Sequence, residues 1–190
     1  MSSFWLYFTL GYKHVLDVNA YDHVLFLIVL TVPYTFNNWK KVLWLVTVFT
    51  IGHTLSLMLS VYNVVNINEA LVEFLIPITI LIAAGFNVFT AGKSKQKAKF
   101  GLIFFATLFF GIIHGLGFSN YFKQIVAVEG TKFLPLLEFA LGIEAAQVVI
   151  VLVVLLLGVI FQSVFRFSRR DWVLVVSAIV IGRVLPMLGL

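Results

Sequence analysis

Long apolar runs dominate the 190-residue chain, and most of its charged residues fall in the short breaks between these runs. Only 11% of the residues are charged and 62% are hydrophobic, whereas a soluble domain is about a quarter charged. Because hydrocarbon offers the backbone no hydrogen-bonding partners, an apolar run that crosses a membrane must satisfy its own backbone as a helix. The sequence therefore predicts an all-α integral membrane protein.

Six apolar runs can be separated, and a crossing needs about 20 residues, so the sequence predicts six transmembrane helices. They form a single transmembrane domain over residues 1–190, preceded by a short amphipathic segment at about residues 3–16. The predicted spans cover approximately residues 20–36, 42–62, 71–90, 100–119, 135–160 and 172–189. Residues 1–10 contain no basic stretch, so we expect no cleavable signal peptide.

Basic residues mark every second connection between the predicted spans. They are Lys40 and Lys41, the four lysines within residues 93–99, and the three arginines within residues 166–170. Because positively charged loops remain in the cytoplasm, this pattern places both termini on the outer, periplasmic side. We expect a multi-pass protein of the bacterial inner (cytoplasmic) membrane.

Charge and cysteine content narrow the partners further. The net charge of +5 comes mainly from these loops, where it sets topology, so no nucleic-acid partner is predicted. The chain has no cysteine, which excludes disulfides and thiolate metal ligands. The lipid bilayer is the predicted partner, and the sequence is also compatible with a homo-oligomer.

The histidines are placed in short polar interruptions of the apolar runs rather than in the loops. There are four, His14, His23, His53 and His114. An ionisable group in hydrocarbon is costly, so an intramembrane one indicates a functional site. The predicted topology brings the histidines, together with Asp22 and Glu144, to the outer half of the membrane.

A divalent metal ion accounts for this set of residues. The four histidines, Asp22 and Glu144 are the candidate metal-binding residues. Asp22 and His23 point about 100° apart on a regular helix, so we expect one of them to be a ligand and the other its partner, since a metal-bound imidazole usually donates its other N–H to a carboxylate. Imidazoles and carboxylates without thiolates suit Ni²⁺ or Zn²⁺.

Three further polar residues are expected to play secondary parts. Gln147 shares a helix face with Glu144, because the two are three residues apart. Glu138 lies six residues before Glu144, on a different face, and is placed at the entrance. Arg183 lies within the last span, where we expect a salt bridge to Glu73, Glu138 or Glu144.

The residues leave other functions open. A zinc-dependent intramembrane hydrolase needs histidines, a carboxylate and an open coordination position. Its catalytic residues would come from Glu144, Asp22, Ser56 and Ser119. The almost purely apolar inner halves of spans 2 and 4 favour this alternative, since a transporter needs polar groups that continue inward. A b-type cytochrome, with His53 and His114 as haem ligands, and a structural or accessory subunit are the remaining alternatives.

Four ordered motifs in residues 11–147 resemble those of the HupE/UreJ family of small polytopic membrane proteins. They are G-x-x-H at 11–14 with D-H-x-L-F-L at 22–27, T-x-F-T-x-G-H-T-x-S at 47–56, F-G-x-x-H-G-x-G-F-S at 110–119 and G-x-E-x-x-Q at 142–147. The family is regarded as nickel permeases. The resemblance thus implies secondary transport of Ni²⁺ or a similar divalent cation, with the histidines, Asp22 and Glu144 as the transit site. On that basis we expect four ligands, His23, His53, His114 and Glu144. Asp22 would orient or attract, and His14 would guard the outer mouth. The chain departs from the family at Ala140, where asparagine is usual, and at Ala146, where glycine is usual.

Overall fold

A computed structural model of the protein describes residues 3–18, 20–92, 100–128 and 131–189. These residues are helical and form no strand, which confirms the all-α prediction. The α-helices are α1 (Ser3–Val15), α2 (Asp22–Thr31), α3 (Trp39–Val61), α4 (Glu69–Thr90), α5 (Phe100–Gly117), α6 (Ser119–Ile125), α7 (Phe133–Ser163) and α8 (Arg169–Val184). Short 3₁₀ turns at Phe36–Asn38, Val126–Val128 and Leu185–Leu188 adjoin α3, α6 and α8.

Four predicted spans coincide with helices that are long and apolar enough to cross a membrane. Spans 42–62, 71–90, 135–160 and 172–189 correspond to Phe36–Val61, Glu69–Thr90, Phe133–Ser163 and Arg169–Leu188. Span 100–119 corresponds to Gly101–Gly117, which continues through a 54° bend into Ser119–Ile125 and crosses only if the pair acts as one span. By length and composition, the described residues thus support four or five spans where the sequence predicts six.

The predicted orientation of the termini stays a prediction. It rests on three basic loops, and the lysines of the loop at 93–99 lie outside the described residues.

The predicted first span, residues 20–36, forms only the ten-residue helix α2. Ten residues rise about 15 Å, which is half of the roughly 30 Å thickness of the hydrocarbon. Pro33 has no N–H to donate to the carbonyl of Val29, four residues earlier. Asn87 of α4 donates to that carbonyl instead, at 2.7 Å, so a side chain satisfies the backbone group that the proline leaves without a partner.

Helices α3 and α5 lie in direct backbone contact. A Cβ atom added at Gly52 would meet the carbonyl oxygen of Leu108, and one added at Gly111 would meet the carbonyl oxygen of Phe49. Small residues permit such close approach between helices in lipid, where dispersion and backbone contacts replace the hydrophobic effect. The contact matters for the site because His53 directly follows Gly52 on α3.

Helix α1 corresponds to the predicted amphipathic segment at 3–16, and it packs against α7 in the same manner. A Cβ atom at Gly11 would meet the carbonyl oxygen of Phe139, and one at Gly142 would meet that of Phe8. Tyr7 of α1 is fully buried, whereas Trp5 is 56% exposed. The packing of α1 on α7 thus places the C-terminal end of α1 inside the bundle.

Two large apolar clusters pack around the histidines. Phe139 belongs to the cluster that joins α1, α2, α3, α6 and α7, while Phe49 belongs to the cluster that joins α2, α3, α4, α5 and α8. The ring of Phe139 neighbours those of His14 and His53. The ring of Phe49 neighbours that of His53 as well. The two hydrophobic clusters therefore enclose a polar centre.

We predict that Gly111→Ala destabilises the protein by about 1–3 kcal/mol, since the new methyl group overpacks a contact with backbone that cannot rotate away. Gly85→Ala is the matched control, because a Cβ atom there meets nothing within 4 Å. Alanine is favoured over glycine in a helix interior by roughly 0.5–1 kcal/mol, so the control should be neutral or stabilising. Thermal unfolding in detergent measures both, and equal midpoints would contradict the close α3–α5 contact.

Asn87→Leu should destabilise the protein by about 1–3 kcal/mol, because the buried carbonyl of Val29 loses its donor. Asn120→Leu serves as the control, since Asn120 is exposed and its bond to Glu69 lies at the surface. Chemical or thermal unfolding of the two variants gives the comparison. If Asn87→Leu were as stable as the control, the Asn87 side chain would not be what completes the end of α2.

Candidate metal centre

Three histidines from three helices converge in the interior. His14 lies near the end of α1, His23 near the start of α2, and His53 in the middle of α3. One ring nitrogen of each lies within 4.8 Å of the others. Zinc–imidazole bonds of about 2.0–2.1 Å at tetrahedral angles put ligand nitrogens roughly 3.3 Å apart. A modest approach of the three rings would therefore bring all three nitrogens onto one ion.

Four ring nitrogens of this histidine cluster (His14, His23 and His53) are buried without a hydrogen-bond partner among the described residues. They are Nε2 of His14, Nε2 of His23 and both nitrogens of His53. His23 and His53 are 2% and 0% exposed. Buried polar atoms are nearly always hydrogen-bonded, so a group of unpartnered imidazole nitrogens is unusual. Free lone pairs aimed at a common point are what a cation requires.

His114 flanks the histidine cluster from α5. Its ring centroid is 5.1 Å from that of His23, but its nitrogens fall outside the group of three. Its Nδ1 lies 2.8 Å from the carbonyl oxygen of Phe110, so Nδ1 carries the proton and Nε2 carries the lone pair. That Nε2 is buried without a partner too. The structure thus brings His14 into the close group, while His114, expected as a ligand, stands beside it.

The Asp22 carboxylate contacts Nδ1 of the His23 ring. Its Oδ1 lies 3.3 Å from Nδ1 of His23, so Nδ1–H donates to the carboxylate and Nε2 is left with its lone pair. This is the arrangement in which a carboxylate fixes the tautomer and orientation of a metal-binding imidazole. The contact between Asp22 and His23 is thus present, and the orienting role of Asp22 stays a prediction.

Glu144 belongs to a second polar group on the α3–α7 seam. Thr47 donates to Glu144 Oε1 at 2.6 Å, and Thr50 donates to Glu144 Oε2. Gln147, fully buried, has its Oε1 2.8 Å from the Thr50 hydroxyl, and its Nε2 has no partner among the described residues. Thr50 precedes His53 by one turn, about 4.5 Å along the helix axis. This threonine–glutamate group lies next to the histidine cluster, and Glu144 itself is not among the three close ligands.

Aromatic rings line the other side of the histidine cluster. Phe118 lies 3.9 Å from the His14 ring, centroid to centroid, and it stacks on Phe139 at 5.2 Å with an interplanar angle of 4°. These rings exclude water from the imidazoles and lower the local dielectric. The cluster is thus bounded by aromatic side chains on one side and by hydroxyls and a carboxylate on the other.

The remaining predicted residues take other positions. Ser56 and Ser119 each donate to the carbonyl oxygen three residues earlier, Ser56 to that of residue 53 in α3 and Ser119 to that of residue 116 at the end of α5. Glu138 is 6% exposed, and its Oε2 has no partner among the described residues. Arg183 is exposed and lies over the Tyr21 ring at 5.2 Å. It forms no ion pair within the described residues, so the expected salt bridge to a glutamate is replaced by a cation–π contact.

Thr47 and the two phenylalanines beside His14, Phe118 and Phe139, could not be assigned a role from the sequence alone. The 47, 50, 53 spacing does carry a signal, since residues three apart share a helix face. Thr47 and Thr50 therefore extend the face that carries His53. The phenylalanines carry none, because the chain has twenty of them and only the packing shows which ones reach the imidazoles.

A family model described as HupE / UreJ protein matches residues 1–188 of the chain. No curated protein and no solved structure matches it. Because the family model covers essentially the whole chain, the protein belongs to the HupE/UreJ family, as the four motifs predict.

We predict that His23→Ala abolishes binding of Ni²⁺ or Zn²⁺ by the purified protein, because His23 neighbours every other histidine. Asp22→Asn should weaken the affinity by about 10–100-fold, the usual effect of removing a carboxylate that orients a ligand. Isothermal titration calorimetry measures both, with Glu73→Gln as a control that removes an exposed carboxylate from α4. Unchanged affinity in His23→Ala would exclude the histidine cluster as the metal centre.

Proposed function

We propose that this member of the HupE/UreJ family carries a divalent cation across the bilayer, with the histidine cluster as its transit site. The observation that supports the proposal is the convergence of three imidazoles inside a bundle of apolar, membrane-length helices, each with at least one buried ring nitrogen that has no partner among the described residues. The ion is the cargo of the protein. His14, His23 and His53 would bind it, His114 would flank it, and Asp22 would orient His23.

The chemistry of the ligands favours Ni²⁺ or Zn²⁺ as the cargo. Imidazole nitrogens suit borderline metals such as nickel, zinc and copper, whereas Mg²⁺ and Ca²⁺ prefer sites built from oxygen alone. The chain has no thiolate for soft Cu(I). Neutral imidazoles also make the affinity fall as the pH is lowered, because protons compete with the metal for the same lone pairs.

The threonine–glutamate group supports transport over a closed catalytic site. A transit site must hold an ion and then release it, which requires polar groups beyond the first ligands. Thr50 and then Thr47 follow His53 toward the start of α3, and Glu144 and Gln147 face them from α7. The predicted topology places the start of α3 on the cytoplasmic side. An ion that leaves the histidines in that direction meets Glu144 first.

The two enzymatic or redox alternatives have less support. The hydroxyls of Ser56 and Ser119 are engaged with backbone carbonyls, so neither is poised beside an imidazole nitrogen as a nucleophile. For a b-type cytochrome, a porphyrin would have to fit between His53 and His114. The ring of His23 neighbours both, at 5.6 and 5.1 Å, and occupies that space.

Uptake of Ni²⁺ into proteoliposomes with an enclosed metal-sensitive dye tests the proposal. His53→Ala should lose both metal binding and uptake. Glu144→Gln should retain binding, because Glu144 lies outside the three close ligands, yet lower the rate of uptake by roughly tenfold or more, the scale on which groups next to a metal site act. Glu73→Gln again serves as the control for removal of a carboxylate.

Three outcomes would contradict the proposal. Wild-type uptake by His53→Ala would remove the histidine cluster from the pathway. Loss of metal binding in Glu144→Gln would make Glu144 a direct ligand and join the two polar groups into one site. A metal that survives chelator dialysis without any uptake would favour the zinc hydrolase instead.

A further inference from the structure

A cavity of about 280 Å³ lies between α2, α4 and α5, separate from the histidine cluster. Its walls are almost entirely apolar. Ile82 of α4 and Leu102 of α5 line it and are 57% and 65% exposed, so the cavity opens sideways onto the surface of the bundle. In a bilayer that surface faces hydrocarbon rather than water. A hydrocarbon chain of a lipid can therefore enter from the side.

One end of the cavity lies beside basic groups. Pro33 and Tyr34 line this end. The guanidinium of Arg169 donates to the Pro33 carbonyl oxygen, and the Lys41 ammonium lies 5.5 Å from the centre of the Tyr34 ring. The Asp171 carboxylate, two residues beyond Arg169, is hydrogen-bonded to Ser168. A lipid whose chain fills the cavity would hold its head group next to two cations.

The other end of the cavity lies beside residues that contact His114. Phe26 and Phe110 line this end, with ring centroids 5.7 Å apart. The Phe110 carbonyl oxygen is the atom that faces Nδ1 of His114, and the Phe26 ring is 5.5 Å from the His114 ring. From Phe26 to Pro33 the chain advances about 10 Å. The cavity thus extends from the basic residues at one end to residues that contact His114 at the other.

We infer that this cavity binds one acyl chain of an anionic phospholipid, with its phosphate beside Arg169 and Lys41. The apolar walls select a hydrocarbon chain, and the two cations select a negatively charged head group, because juxtamembrane basic residues attract anionic lipids. Arginine forms bidentate bonds with phosphate oxygens, and Tyr34 has the amphipathic ring usual at the membrane interface. The site is independent of the ion that the histidines bind.

Native mass spectrometry with added lipid tests the site. The wild-type protein should retain one phosphatidylglycerol through detergent washing that removes phosphatidylcholine. Ala106→Phe fills the cavity from α5 and should lose the retained lipid. Ala178→Phe is the matched control, because Ala178 is exposed on α8 away from the cavity. Ala83→Phe fills the cavity from α4 and replaces Ala106→Phe if that variant does not fold.

A second comparison isolates the head group. The double variant Lys41→Gln, Arg169→Gln should still bind lipid, with its preference for phosphatidylglycerol over phosphatidylcholine reduced several-fold. Equal retention of both lipids by the wild-type protein, or retention by Ala106→Phe equal to that of Ala178→Phe, would overturn the inference. These readouts involve no metal and no uptake, so failure of the transport proposal leaves them unaffected.

Discussion

The positions of the imidazoles depend on helices whose backbones touch. In lipid there is little hydrophobic drive between helices, so close contact and dispersion must hold them together. Gly115 is the most direct example, because a Cβ atom there would meet the carbonyl oxygen of His53 itself. Gly11 and Gly142 do the same for α1 and α7, and thereby bring His14 to Phe139. The glycines thus fix the spacing of the histidines.

Because the close helix contacts fix the positions of the imidazoles, the bundle can hold a group of buried ring nitrogens that have no hydrogen-bond partner. Buried polar atoms without partners are unfavourable, and a loose bundle would relax by turning the rings toward carbonyl oxygens. Within the described residues, the ring of His114 makes such a contact, with the carbonyl oxygen of Phe110. Glu144 differs, since each of its oxygens already accepts from a threonine hydroxyl. The histidine cluster therefore offers buried nitrogens without partners, whereas Glu144 offers a carboxylate that neutral donors partly satisfy and that keeps free lone pairs for a passing cation.

The sequence predicts the helices well where composition alone determines them. Four apolar runs become long helices because hydrocarbon allows no other backbone structure. The first run forms a shorter helix because Pro33 follows its end, and Asn87, 58 residues away, donates to the carbonyl group that the proline leaves without a partner. Residues that share a helix face, such as Thr50 and His53, could be predicted from spacing. The pairing of Thr50 with Glu144 could not, because it depends on how α3 and α7 pack across 94 residues of sequence.

The bend between α5 and α6 lies beside the histidines, where an ion would enter. The two helices bend by 54° around Phe118, whose ring covers His14. On the opposite side, beyond Thr47, the α3–α7 seam is closed by apolar residues such as Val42, Val46 and Val154. Aromatic and apolar side chains thus flank the site in both directions. Under the proposed function, entry past Phe118 needs only a change at an existing helix break, whereas exit along the seam needs packed helices to separate. The second movement disturbs far more buried surface, so release toward the start of α3 would be the slower step.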